Sequence, residues 1–425
     1  MGKWPSTPAV SRPRWRCLIL VISLAVASPL LVSCGTENAG VVINIFNGPE
    51  ENFSSIVDRC NSLAHGNYRI KLNQLPRDAE GQREQLVRRL AARDSGLDLM
   101  DMDITWVAEL AEAGWIKEWT GEDKKSVERG TLEKPLKTAR WNNKLYAAPY
   151  NTNVQLLWYR SDLVPTPPAT WDELITAAEK LADQGKPHYV EVTGAQYEGL
   201  VVWFNALVTS AGSSILSADG KRVVLDSKAR KALEVMKKFA TSRAADPSLS
   251  NTHEQEANLA FQAGKAPFQV IWPFVYAATR DSNPELLKKL RWAPYPGIDG
   301  PGSSPLGGAV FAVGKYSKHP HEAFAAATCL RDPESQKIAA VKDGLPPTIR
   351  SVYDDREFIA KYPMRDAILQ ALETAGERPS TPFYQNISTI VSTVLSPPQA
   401  IAPQATLSRL RAEIADALQS KGVLP

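Results

Sequence analysis

The chain has 425 residues, too many for one compact core, so two or three folding units are expected. Its 44% hydrophobic and 22% charged residues are those of an ordinary globular protein. The formal charge of +3 comes from the leader, where Lys3, Arg12, Arg14 and Arg16 have no acidic counterpart; without residues 1–33 the balance is 3 − 4 = −1, which gives no electrostatic case for nucleic acid as a partner.

A basic stretch ending at Arg16, an apolar run from Cys17 to Val32 and the sequence Leu31-Val32-Ser33-Cys34 open the chain. A small residue before a cysteine at the end of such a run resembles a bacterial lipobox, in which the cysteine is diacylated and becomes the new N-terminus. The apolar run, about 16 residues interrupted by Pro29, is short for a membrane span. The expectation is a signal peptide over 1–33, lipidation at Cys34, a tether over 34–40, and a place on the outer face of the cytoplasmic membrane. Arg12 and Arg14 are not adjacent, so a twin-arginine signal is not supported. Cys60 and Cys329 then remain; they lack metal spacing, and in an exported protein either a bridge between them or two buried thiols fits.

Beyond the tether, Val41 to Phe46 is rich in β-branched residues and predicts a buried strand, followed by a polar turn from Asn47 to Glu51 and a helix over Phe53 to Leu63. Tyr68 to Leu75 predicts a second strand and Gln82 to Arg93 a helix with Leu86, Val87 and Leu90 on one face. In Leu97 to Asp103 the three aspartates suggest a metal, but no glycine-bearing calcium loop follows; the preferred reading is that Asp98 opens a strand, Asp101 interrupts it and Asp103 ends it at a crevice. Residues 145–159 form two apolar extended runs broken by Tyr150-Asn151-Thr152-Asn153, the look of a strand crossing between lobes. Thr170 is placed as the N-cap of a helix from Trp171, and Ser227 as the N-cap of a helix to Arg243. From Glu254 the pattern is helix, a Gly264-Lys265 stop, a strand from Phe268 to Ile271, then Trp272-Pro273 opening another helix. That layout sets a tryptophan at a strand end, where ligands bind in open α/β sheets, although a core tryptophan has the same pattern. His319 and His321 sit at a helix entrance, which favours a structural role over a metal. Helices broken by Arg378-Pro379-Ser380-Thr381-Pro382 and Ser396-Pro397-Pro398 complete the chain.

Taken in order, the lipobox, LDLMDMDITWVAELAEAGW, YAAPYNTNVQLLWYR, EGLVVWFNALVTSAG, FQAGKAPFQVIWPFVY, LGGAVFAVGK and RPSTPFYQNIS resemble the solute-binding lipoproteins of bacterial carbohydrate ABC importers. Within that family the likeness is greatest to the trehalose-binding lipoproteins of mycobacterial trehalose-recycling importers. The resemblance implies an α/β, two-lobed periplasmic-binding-protein-like fold of the maltose-binding type, with hinge strands and an interlobe ligand cleft. Lobe I would hold 41–150 and 309–344, and lobe II 151–308 and 345–425. Both Cys60 and Cys329 would then lie in lobe I, which favours their pairing.

Matched by motif, the ligand contacts implied are Asp103, Asn153, Glu254, Trp272 and Arg378, with Gln82, Gly307, Gly308 and Asn151 as further positions. Glu51, or its neighbour Glu50, is a contact in a first loop that departs from the mycobacterial pattern. The residue types suit a sugar: carboxylates accept from hydroxyls, the amide and guanidinium donate, and the indole covers the C–H face of a pyranose ring. Arg378 could instead make a surface salt bridge. The implied function is non-enzymatic, with no cofactor: a lipid-anchored, monomeric receptor that binds a disaccharide, trehalose first and maltose or another α-glucoside second. It would deliver the sugar to the permease subunits of an importer driven by a cytoplasmic ATPase. An exported glycoside hydrolase using Asp103 and Glu254 as acid and base is the rival of another class.

Overall fold

The computed structural model describes residues 40–419; the lipobox, Cys34 and most of the 34–40 tether lie outside the described residues. Among the described residues eleven strands form: β1 Val41–Asn47, β2 Tyr68–Gln74, β3 Leu99–Asp103, β4 Arg140–Trp141, β5 Lys144–Leu145, β6 Ala148–Val154, β7 Leu156–Arg160, β8 Val190–Glu191, β9 Phe268–Ile271, β10 Leu290–Ala293 and β11 Leu306–Val313. They make a five-stranded sheet in the order β2-β1-β3-β11-β6, a four-stranded sheet β10-β7-β9-β8, and the β4-β5 hairpin.

In the first sheet β1 runs parallel to β2 and β3, while β11 is antiparallel to both β3 and β6. Its central strands are apolar on both faces, as a sheet covered by helices requires: Ile43, Ile45, Leu99, Met100, Phe311 and Val313 are fully buried. In the second sheet β7 is antiparallel to β9 and β10, and β8 is parallel to β9. A separate core forms around Trp171, Trp203 and Phe239, with ring centroids 5.6–5.7 Å apart. The C-terminal helices Tyr384–Leu395 and Pro403–Leu418 pack on this lobe, against Glu198–Ser210 and Ser227–Ala240. The two-lobed α/β expectation matches the structure.

The chain passes between lobes at Gln155, between β6 and β7, and again just before β11. A third passage lies at Gly376, whose N–H donates to Ser304 O at 2.8 Å and whose carbonyl accepts from Leu306 N at 2.9 Å. The expected boundaries shift accordingly. Residues 151–154 and 306–308 belong to the first sheet, because β6 pairs with residues 306–311 of β11. Residues 345–375, expected in the second lobe, pack on the first: Thr152 N donates to Pro346 O, Leu132 N to Thr348 O, and Tyr353, Phe358 and Ile368 join the first core.

Local capping follows the side chains available. Thr170 and Glu173 form a reciprocal capping box on Trp171–Asp183. The helix beginning at Ser227 is capped by Asp226, which accepts from Lys228 N and Ala229 N, and not by Ser227. Cys60, on Phe53–Leu63, and Cys329, on Pro320–Leu330, are disulfide-bonded with Cα atoms 5.9 Å apart.

Candidate ligand cleft

Strand ends of both lobes converge on one cavity of about 460 Å³, inside the range of about 300–1,000 Å³ for small-molecule sites. Register sets the first wall. Asp103, the last residue of β3, stands opposite Ala309, and Asn153 and Asn151 on β6 stand opposite Gly307 and Ala309 on β11. The second wall comes from the helix-strand unit 254–272, which carries Glu254 at the start of its helix and Trp272 just past the end of β9. Asp103, Asn151, Asn153, Glu254, Trp272, Gly307, Gly308, Arg378 and Gln82 all line the cavity.

The glycine pair has a steric reason. A Cβ on Gly307 would sit 3.0 Å from the Trp272 ring and 3.3 Å from Asn153 Cβ. Gly308 has φ +138°, and a Cβ there would lie 2.5 Å from Asn151 O. Glycine at position 307 leaves room for the Trp272 ring edge beside β11.

Glu51 is corrected. It is exposed and does not line the cavity, whereas Glu50 turns inward and accepts from the Tyr150 hydroxyl at 3.0 Å. The two adjacent glutamates of this turn part, Glu50 meeting Tyr150 inside and Glu51 facing solvent. Glu50 and Asp101 border a side chamber of about 280 Å³ that shares Arg77, Gln82, Glu254 and Gln255 with the main cavity. Asp101 does not interrupt β3; it lies within the strand, 8% exposed. Burial pushes its carboxyl up to about 7, with Asp103 adding to the rise.

Arg378 is not a surface ion pair. Its side chain is 2% exposed, and it donates to Glu198 Oε1 at 2.7 Å and to Asp103 Oδ1 at 3.0 Å. Burial opposes its charge, but Asp103, Tyr384 and Glu198 together hold its pKa up. Asp103 Oδ1 also accepts from Thr105 N at 2.8 Å and Thr105 Oγ1 at 2.7 Å. Glu198 is raised by burial and drawn back by Arg378; Ser388 and Tyr384 both donate to it. Glu254 accepts from the Tyr197 hydroxyl at 2.7 Å, and burial raises its carboxyl too. Two buried polar atoms on the lining, Asn153 Oδ1 and Arg378 Nε, have no protein partner among the described residues. Buried groups of this kind are normally bonded, so they suit a polar ligand.

Tyr197, Glu198, Arg77, Asp78 and His253 line the cavity without having been singled out from the sequence. EGLVVWF reads as a plain buried helix, and only a Cβ on Gly199, which would lie 2.1 Å from the Tyr197 hydroxyl, betrays the ring folded over its start. Chemically the cleft offers an aromatic face, convergent acceptors and a fixed guanidinium. Asp103 Oδ1 is engaged by Thr105 and Arg378, whereas Oδ2 meets only Arg378, at 3.2 Å, and keeps acceptor capacity for a ligand hydroxyl.

Residues 49–337 match the family model for bacterial extracellular solute-binding proteins. A "Probable ABC transporter-binding protein" of Deinococcus radiodurans is 30% identical over 333 residues, covering 73% of this chain and 76% of that protein. The maltose-bound MalE3 of T. maritima has a similar fold, with TM-score 0.81 and 24% identity over 88% of this chain and 99% of that one. A solute-binding protein of Thermotoga lettingae bound with α-D-tagatose gives TM-score 0.80 and 21% identity over 89% and 100%. The acarbose-binding GacH receptor of Streptomyces glaucescens gives 0.76 and 21% over 89% and 99%. These relatives are binding proteins and not enzymes, and the chain belongs to the bacterial extracellular solute-binding protein family of ABC transporters.

Proposed function

We propose that the protein is the extracytoplasmic receptor of a sugar importer, and that its cleft closes on a disaccharide, trehalose. The observation that carries this reading is the pairing of one aromatic face, Trp272, with the hydroxyl-matching groups Asp103, Asn153, Glu254 and Arg378 around a cavity of about 460 Å³. One pyranose ring stacks on the indole while carboxylate and guanidinium groups from both walls bond its hydroxyls. Closure is then a population shift, because contacts from both lobes favour the closed arrangement. The lipobox at Leu31-Val32-Ser33-Cys34 supports diacylation of Cys34, anchoring a monomeric receptor beside the permease subunits and ATPase of its importer. Maltose or another α-glucoside is the second reading, favoured by the likeness to the maltose-bound MalE3. Calorimetric titration of the purified protein with trehalose and, separately, maltose tests both. Saturable heat with trehalose is expected; heat with maltose alone reassigns the sugar, and no heat with either at millimolar concentration removes the disaccharide reading.

A further inference from the structure

The helix Glu198–Ser210 begins at the cleft, and its own sequence does not cap it. Tyr197, in the N-cap position, makes no side-chain cap bond, and its hydroxyl is given to Glu254 on the same lobe. The missing partner comes from the opposite lobe. Glu80, in the first turn of Ala79–Ala91, accepts the backbone N–H of Glu198 through Oε1 at 2.9 Å, across 118 residues of sequence. An unpaired N–H at a helix start is where a carboxylate is most favourable, since the helix dipole and the orphan donor act together. Glu80 does not line the cavity, although its neighbour Ala79 does. Glu80 is half-buried; burial raises its carboxyl, with the Glu198 N–H drawing it back. The Arg378 to Asp103 pair also spans the lobes, but its residues line the ligand cavity, so its effect on closure cannot be separated from its effect on the ligand.

We propose that Glu80 is a positioning residue for ligand capture: it caps the Glu198 helix only when the lobes are together, and so holds the cleft shut without touching the ligand. This rests on the reading of the cleft as a capture site closed by lobe motion. When the lobes part, Glu80 and the helix start both return to water. The bond therefore stabilises the closed arrangement alone, and its loss acts on ligand release more than on encounter.

The test uses the full chain with fluorophores on Lys71→Cys and Lys186→Cys, exposed positions on the two lobes, read by single-molecule energy transfer without ligand and with trehalose. Losing a helix cap corresponds to a roughly two- to thirty-fold change in the closed-to-open ratio. Glu80→Ala should lower that ratio by such a factor and raise the sugar's dissociation rate in step, with the association rate nearly unchanged. Glu80→Gln, which keeps an acceptor oxygen but not the charge, should fall between. A Glu80→Ala protein whose closed fraction and release rate both match the wild type overturns the proposal, as does a lower melting temperature with an unchanged closed fraction, which would make Glu80 a structural residue of its own lobe. If trehalose moves neither protein while the ligand-free closed fraction still depends on Glu80, the sugar assignment fails and the latch stands.

Discussion

Trp272 and Gly307 form one device at the residue scale. Gly307 leaves room for the indole beside β11, since a Cβ there would fall 3.0 Å from the ring, closer than side chains ordinarily pack. Trp272→Ala should weaken sugar binding ten-fold or more with little change in melting temperature, because the residue is only partly buried. Gly307→Val, which keeps the tryptophan but displaces it, should weaken binding comparably in the same titration. Arg378 behaves differently. Removing the buried cation leaves Asp103 and Glu198, 26% and 15% exposed, without their partner, at a cost of up to about 3–5 kcal/mol, the range for a fully buried pair broken from one side. Arg378→Ala should therefore lower both affinity and melting temperature, where a surface salt bridge would have left stability almost untouched. The residue type and its motif were legible in the sequence; its pairing with Glu198 was not, since 180 residues separate them and nothing in EGLVVWF marks an acid facing a cleft. Glu51 was misplaced for a related reason, as sequence locates a turn but not which of two adjacent glutamates points inward.

At the scale of elements, β8 carries an unusual cost. Glu191 is 2% exposed beside Gln269, and its Oε1 has no partner among the described residues. Burial pushes its carboxyl up to about 8, Asp246 adding to the rise and Lys265 opposing it. A folded-state pKa above the unfolded value means that the stability from the neutral acid is fully present below about pH 4.5 and is lost as pH rises towards 8. Glu191→Gln should accordingly raise the melting temperature at pH 8.5, by on the order of 1–3 kcal/mol of stability, and change it little at pH 4.5. Thermal scans at the two pH values check this; an equal effect at both would rule out titration of Glu191 as the cause. Strand positions themselves were readable from apolar runs: β1 and β9 fall where the pattern puts them. The assignment of 345–375 was not readable, because it depends on backbone bonds to Thr152 and Leu132 made far away in the chain.

Over the whole molecule, the Cys60–Cys329 bond ties the first helix to one that follows β11, across 269 residues. Both ends lie in the first lobe, so the bridge stabilises that lobe without spanning the cleft. Cys60→Ser with Cys329→Ser should lower stability by about 2–5 kcal/mol, read from denaturant midpoints, while leaving sugar affinity within a few-fold. A large loss of affinity at full folding would show that the bridge also shapes the cleft. Two lobes, three crossings and a cleft between them were expected from motif order, and the matching family model covers residues 49–337. The cross-lobe bonds of Glu80 and Arg378 emerged only in three dimensions. The central claim is that the lobes close on a disaccharide, and small-angle X-ray scattering of the protein with and without saturating trehalose tests it most directly. A smaller radius of gyration on adding trehalose is the predicted result; identical scattering curves at concentrations up to tens of millimolar would contradict it.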